Sequence, residues 1–232
     1  MLGTRKIQVI LTAAVIGLAT PTLSAEPAPT TLWTDWTSAR VASPGSAVGT
    51  LDGITVTYNG EVISRTVTDG TFTGWVPDSS FVDGTVVTSS PREVGDIIGI
   101  SGEYTGINTI TFASAVVDPV MAIWSLGSPS LPTSFDSFTV TPTFVVGGPN
   151  GDYGGEPIMV SGNTVSGQEG NGVVQFAGAI SAISWTNTPE LWYGFTVGAL
   201  DSALRPVSEP SSLTLLGAMV GLYLLGRSWK SV

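Results

Sequence analysis

Turn-forming dipeptides recur at short intervals through the middle of the chain and constrain its fold more than any other feature. Asn59-Gly60 separates the β-rich runs 54–58 and 62–67, and both of its residues accept the positive φ values of a two-residue hairpin. Short strands joined by tight turns are therefore expected, with Asn59-Gly60 as the best-defined hairpin. Five further dipeptides of this kind are Asp52-Gly53, Asp69-Gly70, Asp83-Gly84, Asn150-Gly151 and Asn171-Gly172.

The segments between these turns are rich in β-branched and aromatic residues and show no helical periodicity. About ten strands without intervening helices favour an all-β fold, an antiparallel β-sandwich of the jelly-roll kind. A closed barrel is the alternative. The clearest predicted strands are residues 85–88, 97–100, 107–112, 116–124, 138–146, 173–176, 180–185 and 192–197.

Residues 1–25 have the pattern of a secretory signal peptide and are expected to form a signal helix. Arg5 and Lys6 form a basic start, and residues 7–19 are an apolar run without a charge. Because the run is short for a membrane span, we expect Sec-dependent export and cleavage by signal peptidase after Ala25, or one residue earlier. An uncut N-terminal anchor is the alternative.

Residues 211–226 carry no charge and lie just before a basic end, residues 227–232. As a helix this stretch would be about 24 Å long. It is therefore expected to be a transmembrane helix with its basic end in the cytoplasm. A buried core helix is the alternative, but no face of the stretch is polar. The membrane anchor is assigned to Leu213, Leu215, Leu216, Gly217, Gly221, Leu222, Leu225, Arg227 and Lys230.

A short motif at residues 207–212 precedes this helix. Val207, Ser208, Glu209 and Pro210 are followed by two serines and a leucine. Together with the helix, the basic end and the signal peptide, this motif resembles the PEP-CTERM sorting signal of Gram-negative bacteria, and the resemblance covers residues 205–232. The family motif is Pro-Glu-Pro, and here Ser208 stands in place of its first proline.

The resemblance implies processing by an exosortase, a membrane enzyme that would recognise the Glu209-Pro210 region and remove the helix. The chain would be exported, anchored transiently in the inner membrane, and then released to the cell surface or the extracellular matrix. Residues 26–204 would form the exported β-sandwich domain. This domain also resembles ectodomains that accompany such tails, through residues 32–38, 49–50, 54–61, 183–187 and 192–198.

Composition excludes several classes of function. The chain has no cysteine and no histidine, which excludes disulfide scaffolds, histidine-based catalytic triads and metal sites built on either residue. Its 18 acids outnumber its 8 bases, so nucleic acid is not an expected partner. Residues 26–207 hold 17 of the acids and 4 of the bases, so most of the negative charge belongs to the exported domain.

Oxygen-rich side chains in one loop suit a calcium ion. Asp152 and Glu156, in the stretch 150–156, are the best candidates for ligands of a structural calcium. An acidic, solvated loop is the other interpretation. No other cofactor is expected.

Tryptophan side chains are the candidate contacts for a glycan. Trp75 stands among glycine, proline and aspartate residues, so we expect it to be exposed in a loop. Trp124, Trp185 and Trp192 lie in predicted strands and are expected to be buried.

The function expected from these observations is that of a non-enzymatic surface or matrix protein, structural or adhesive in the envelope or exopolysaccharide. The alternative is a carbohydrate-binding module that recognises a matrix glycan through exposed tryptophan. Hydrolysis by paired carboxylates is a third and more distant interpretation.

Overall fold

The computed structural model describes residues 28–69, 74–91 and 96–204. The helical elements whose bounds lie within these ranges are a 3-10 turn, Asp78–Ser80, and a one-turn helix α1, Asp201–Leu204. The strands are β1 (Thr31–Trp33), β2 (Asp35–Arg40), β3 (Ala42–Leu51), β4 (Ile54–Val62), β5 (Ile98–Ile100), β6 (Asn108–Val117), β7 (Val120–Leu126), β8 (Thr133–Asp136), β9 (Pro142–Gly147), β10 (Met159–Ser161), β11 (Thr164–Gly167), β12 (Gly170–Phe176), β13 (Ala179–Asn187) and β14 (Tyr193–Leu200).

Both predicted sorting segments fall outside the described residues. They are the signal peptide, residues 1–25, and the PEP-CTERM-like signal with its transmembrane helix, residues 205–232. Among the residues that the structure does describe, no helix is both long enough and apolar enough to cross a membrane.

The strands form two antiparallel sheets, which confirms the prediction of an all-β fold. The order in the six-stranded sheet is β1-β14-β7-β12-β9, with β5 also paired to β14. The order in the eight-stranded sheet is β10-β11-β8-β13-β6-β4-β3-β2. One large buried cluster draws its side chains from both sheets, which is the arrangement of a β-sandwich.

Aromatic rings fill much of the space between the sheets. Trp185 of β13 is 1% exposed and lies among Tyr58, Phe135, Phe138 and Phe195. Its ring centroid is 5.2 to 6.0 Å from each of theirs. Contacts of this kind add to the free energy gained by burying apolar surface, so this cluster anchors the two sheets to each other.

The outer face of the six-stranded sheet is covered as well, by the connection between β4 and β5. Trp75, Phe81 and Val87 from this connection pack against Trp124 and neighbouring residues of the sheet. As a consequence, every residue of β7 is buried. A strand covered on both faces can be apolar throughout, which explains the unbroken apolar character of most of β7.

The best-defined predicted hairpin is wrong. Asn59-Gly60 lies inside β4, and the turn between β3 and β4 is made by Asp52-Gly53, with φ values of 47° and 82°. Gly60 is required for close packing and not for a turn, because a Cβ at this position would collide with Asn108 Oδ1 and with the hydroxyl of Tyr58.

Several strand boundaries also differ from the prediction. Residues 85–88 form no strand, and the run 138–146 begins as a strand only at Pro142. The run 116–124 is divided between β6 and β7 by a turn at Asp118, which has a φ of 48° and whose carboxylate accepts the N–H of Gly178 at 2.6 Å. A turn residue with a positive φ, hydrogen-bonded to the connection between β12 and β13, thus ends a strand in the middle of an apolar run.

Candidate functional site

A β-bulge distorts the pairing of β7 with β12 at one end of the six-stranded sheet. Trp124 and Ser125 together stand opposite the single residue Asn171. Ser125 has a φ of 59°, and its N–H donates to Asn171 Oδ1 at 2.9 Å. Bulges and positive φ values at residues other than glycine redirect side chains and occur often at functional sites.

Glu169, in the connection between β11 and β12, is held against this bulge. The hydroxyl of Ser125 donates to the Glu169 carboxylate, and the Asn171 side-chain amide donates to the Glu169 carbonyl at 2.7 Å. Glu169 itself has a φ of 53°. Gly155 packs so closely that a Cβ there would collide with the Glu169 carbonyl. Three segments therefore fix the position of this glutamate.

Glu190, in the connection between β13 and β14, is a second carboxylate of this region. Its side chain accepts the N–H of Trp192 at 3.2 Å, and its own N–H donates to the carbonyl of Ser101 at 2.7 Å. Burial raises the pKa of Glu190, backbone hydrogen bonds from Leu191 and Trp192 lower it, and the negative charge of Glu169 raises it again. The two glutamates thus interact electrostatically.

Aromatic rings accompany the two glutamates. Trp124 packs edge-to-face against Trp192, with 4.7 Å between ring centroids, and lies 5.8 Å from the ring of Tyr153. Tyr153 is 55% exposed, whereas both tryptophans are buried. The guanidinium of Arg65 lies 5.8 Å from the Trp192 ring centroid, in a cation–π contact. We call the surface formed by Glu169, Glu190 and Tyr153, with the buried Trp124 and Trp192 packed behind it, the glutamate–tyrosine surface.

The position of Tyr153 is set by one buried side chain. Asn150 Oδ1 accepts the N–H groups of Asp152 and Tyr153 at 2.7 and 3.3 Å. Its Nδ2 donates to the carbonyls of Gly74 and Val76. The loop that presents Tyr153 is therefore tied to the connection that covers the sheet.

The chemistry of this surface suits a ligand that carries both hydrogen-bond donors and an apolar face. Carboxylates accept strong hydrogen bonds from hydroxyl or ammonium groups. An exposed phenol ring offers a flat apolar face and a polar edge. A pyranose ring has both complementary features, because its hydroxyls lie at the rim and its C–H groups on the faces.

Trp75 is wholly buried, so the prediction that it is an exposed glycan contact is wrong. Its ring packs edge-to-face against Phe81, with 5.3 Å between centroids, and lies 6.4 Å from Trp124. The surrounding glycine and proline do mark a loop, but this loop lies over a sheet. The predicted burial of Trp124, Trp185 and Trp192 is confirmed.

The stretch proposed for calcium is organised by Asn150. Asp152 and Glu156 are both exposed. Over residues 28–69, 74–91 and 96–204, no three or more acidic side chains come together in a way that could hold a metal ion. The arrangement around Asp152 and Glu156 is that of a hydrogen-bonded loop with solvated acids.

No motif or composition of the sequence predicts Glu169, Glu190 or Tyr153 as site residues. Each belongs to a different connection, and none stands in a motif of its own. The only local signal was Asn171-Gly172, a turn-like dipeptide that in the structure belongs to the bulge beside Glu169.

Comparison with protein-family models, with curated proteins and with solved structures finds no match for this chain.

Proposed function

We propose that this chain is a non-enzymatic, exported surface or matrix protein, sorted by an exosortase and structural or adhesive in the envelope or exopolysaccharide. The observation that carries the proposal is the order of features at the C terminus: Glu209-Pro210, the uncharged stretch 211–226, and then Arg227 and Lys230. A basic end after an apolar stretch favours a cytoplasmic C terminus, which leaves the preceding domain outside the membrane. An all-β domain without cysteine needs no disulfide formation after export.

Mass spectrometry of the mature C terminus tests this proposal. We expect cell-surface material to end near Pro210 and to lack residues 213–232. The double variant Glu209→Ala, Pro210→Ala should keep the helix and remain in the inner membrane. Ser228→Ala, in the basic end, is the matched control and should be processed normally. Surface material that still carries residues 213–232 would contradict the proposal.

We further propose that the sandwich is a jelly roll. Two sets of adjacent strands support this: β5, β14, β7 and β12 in one sheet, and β6, β13, β8 and β11 in the other. Apart from β8 and β11, which share a sheet, strands of these two sets that follow one another along the chain alternate between the sheets, as in two Greek keys wound together. The remaining strands extend the edges of both sheets.

Carbohydrate binding is the second candidate function, and the glutamate–tyrosine surface favours it. Tyr153 offers a ring face for stacking against a sugar, while Glu169 and Glu190 offer acceptors for its hydroxyl groups. This surface takes the place of Trp75 as the predicted contact, because Trp75 has no exposed face.

A glycan array with the full chain in detergent tests this second candidate. We expect saturable binding to at least one glycan, weakened at least about tenfold by Tyr153→Ala or by Glu190→Gln, because each change removes one contact of the surface. Phe144→Ala is the matched control, since Phe144 is an exposed aromatic residue on β9, outside the surface. Equal loss in the control, or no binding by the unaltered chain, would reject carbohydrate binding.

A further inference from the structure

Asp96 is a buried acid whose hydrogen bonding is incomplete. Its side chain is 2% exposed and lies immediately before Ile97 and β5. Oδ2 accepts the N–H of Trp36 at 2.8 Å. Oδ1 is buried and has no donor among the described residues. A carboxylate oxygen in this situation is costly, so a further partner is needed to satisfy it.

The charged groups that face Asp96 are themselves acids. Asp35, at the start of β2, raises the pKa of Asp96 by its negative charge and by a side-chain hydrogen bond, and Asp69 raises it by its charge from the connection that follows β4. Two ionised carboxylates are both acceptors. Asp35 and Asp96 can therefore bond to each other only when one of them carries a proton.

We propose that Asp35 and Asp96 share one proton, which locks the crossing of the chain from one sheet to the other. With the proton on Oδ1, Asp96 donates to the Asp35 carboxylate while its Oδ2 keeps the N–H of Trp36. Every polar atom of the Asp96 carboxyl is then satisfied. When the proton is lost to solvent, the same two groups become like charges in contact.

The acidity of Asp96 supports this assignment. Burial raises the pKa of Asp96 to about 7, even though the hydrogen bond from Trp36 lowers it. The negative charges of Asp35 and Asp69 contribute to this rise in the pKa. Two carboxyls that share a site behave in this way, because both cannot ionise without repulsion.

The shared proton lies where several parts of the fold meet. Residues 33–36 carry the chain from β1 in the six-stranded sheet to β2 in the eight-stranded sheet. In this crossing the backbone N–H and the hydroxyl of Thr34 both donate to the carbonyl oxygen of Val197. The donor–acceptor distance is 2.9 Å in each case. Asp96 stands at the end of the connection that covers the sheet. A pocket of about 270 Å³ includes Asp35 in its lining, so the Asp35 side of the pair faces solvent.

The direction of the pH effect follows from linkage. The pKa of Asp96 in the folded chain, about 7, is above its ordinary value of 3.8. The stabilisation is therefore fully present below about pH 4 and is lost as the pH rises through about 7. The equilibrium constant for unfolding should rise roughly ten- to hundredfold between about pH 5 and about pH 8.

Chemical denaturation of the full chain in detergent, followed by tryptophan fluorescence over this pH range, tests the proposal. In Asp96→Asn the amide donates permanently to Asp35 and its oxygen accepts the N–H of Trp36. This variant should lose the pH dependence and resist unfolding at about pH 8 better than the unaltered chain. Asp52→Asn, at an exposed turn that tolerates asparagine, is the matched control and should keep the pH dependence of the unaltered chain.

Infrared spectroscopy provides a second measurement that does not depend on stability. The unaltered chain should show the band of a protonated carboxyl at about pH 6, and this band should disappear above about pH 8 and in Asp96→Asn. If Asp96→Asn does not fold, Asp35→Asn serves instead, because its amide donates to Asp96. A pH dependence that survives in the variant, or its absence in the unaltered chain, would overturn the proposal. Recovery of stability at about pH 8 on adding calcium would also overturn the proposal, since a cation instead of a proton would then lie between the two carboxylates.

Discussion

Glu61 shows how a buried acid can be satisfied by hydrogen-bond donors, with no positive partner in the part of the chain that the structure describes. It is 3% exposed, and one carboxylate oxygen accepts the N–H groups of Ser101 and Gly102 at 3.0 and 2.6 Å. The other oxygen accepts the hydroxyl of Ser101 at 2.7 Å. Asp96 is buried to a similar degree but has a donor on only one oxygen. The number of donors, more than the depth of burial, distinguishes these two acids.

Replacing Glu61 by glutamine should destabilise the domain. In Glu61→Gln the amide oxygen can keep the N–H groups of Ser101 and Gly102 and the amide nitrogen can donate to the Ser101 hydroxyl, but hydrogen bonds to a charged carboxylate are replaced by weaker neutral ones inside the protein. We expect the free energy of unfolding to fall by about 2–4 kcal/mol, measured by urea denaturation. Glu103→Gln removes the same charge at an exposed position and should change stability by less than about 0.5 kcal/mol. Equal effects of the two variants would show that the donors to Glu61 contribute little.

At the scale of elements, both sheets carry irregular edges. A bulge interrupts the pairing of β9 at one edge of the six-stranded sheet, and another interrupts β2 at one edge of the eight-stranded sheet. β9 also begins with Pro142, which has no N–H to offer. Bulges and proline discourage the pairing of an edge with another chain, so they limit uncontrolled association of an all-β protein.

The loop 150–154 illustrates an element that depends on one side chain. Asn150→Ala removes the hydrogen bonds that the Asn150 side chain makes to the N–H groups of Asp152 and Tyr153 within the loop. It also removes the bond to the carbonyl of Val76 in the connection that covers the sheet. We expect a loss of about 2–4 kcal/mol in the free energy of unfolding. Hydrogen exchange should also become faster at residues 152–154.

The control for this loop is Asp152→Ala. Asp152 is exposed in the same loop, so the variant should change stability by less than about 0.5 kcal/mol. If Asn150→Ala behaved like its control, the loop would be held by its other hydrogen bonds, those between the backbones of Asn150 and Gly154, from Gly151 to Val76 and from Asn171 to Gly154.

At the scale of the whole molecule, the domain has a covering layer outside its two sheets. Trp75 is the largest fully buried side chain of that layer, and it links the layer to the sheet through Trp124. Trp75→Ala should therefore lower the free energy of unfolding by about 3–5 kcal/mol. Denaturation monitored by circular dichroism measures the loss.

Leu191→Ala is the comparison for this variant. Leu191 is 90% exposed, so removing its side chain should change stability by less than about 0.5 kcal/mol. A small effect of Trp75→Ala, similar to that of Leu191→Ala, would mean that the covering layer contributes little to the folded state.

Much of the all-β character follows from local sequence. In β6 buried residues alternate with less buried ones, and this alternation is visible in the sequence alone. The buried residues are Asn108, Ile110 and Phe112. Asp52-Gly53 was among the predicted turns and does reverse the chain. Asn59-Gly60 has a similar local composition but does not reverse the chain. Its glycine is required for close packing against residues that are distant in the sequence.

The candidate site was beyond prediction for a related reason. Glu169, Glu190 and Tyr153 come together only because separate connections meet at one end of a sheet. Burial of Trp75 likewise depends on which surface its loop covers. Neither property can be inferred from the residues that flank a position in the sequence.

The amino-acid sequence by itself determined the kinds of elements: strands with short turns, a strongly acidic body, and two apolar ends. The tertiary structure decided which residues share a surface, which tryptophans are covered, and which acids lack a donor. The physical reason is that strand periodicity and turn chemistry are local properties of the backbone. Burial, desolvation and the pairing of charges depend on contacts between residues far apart in the chain.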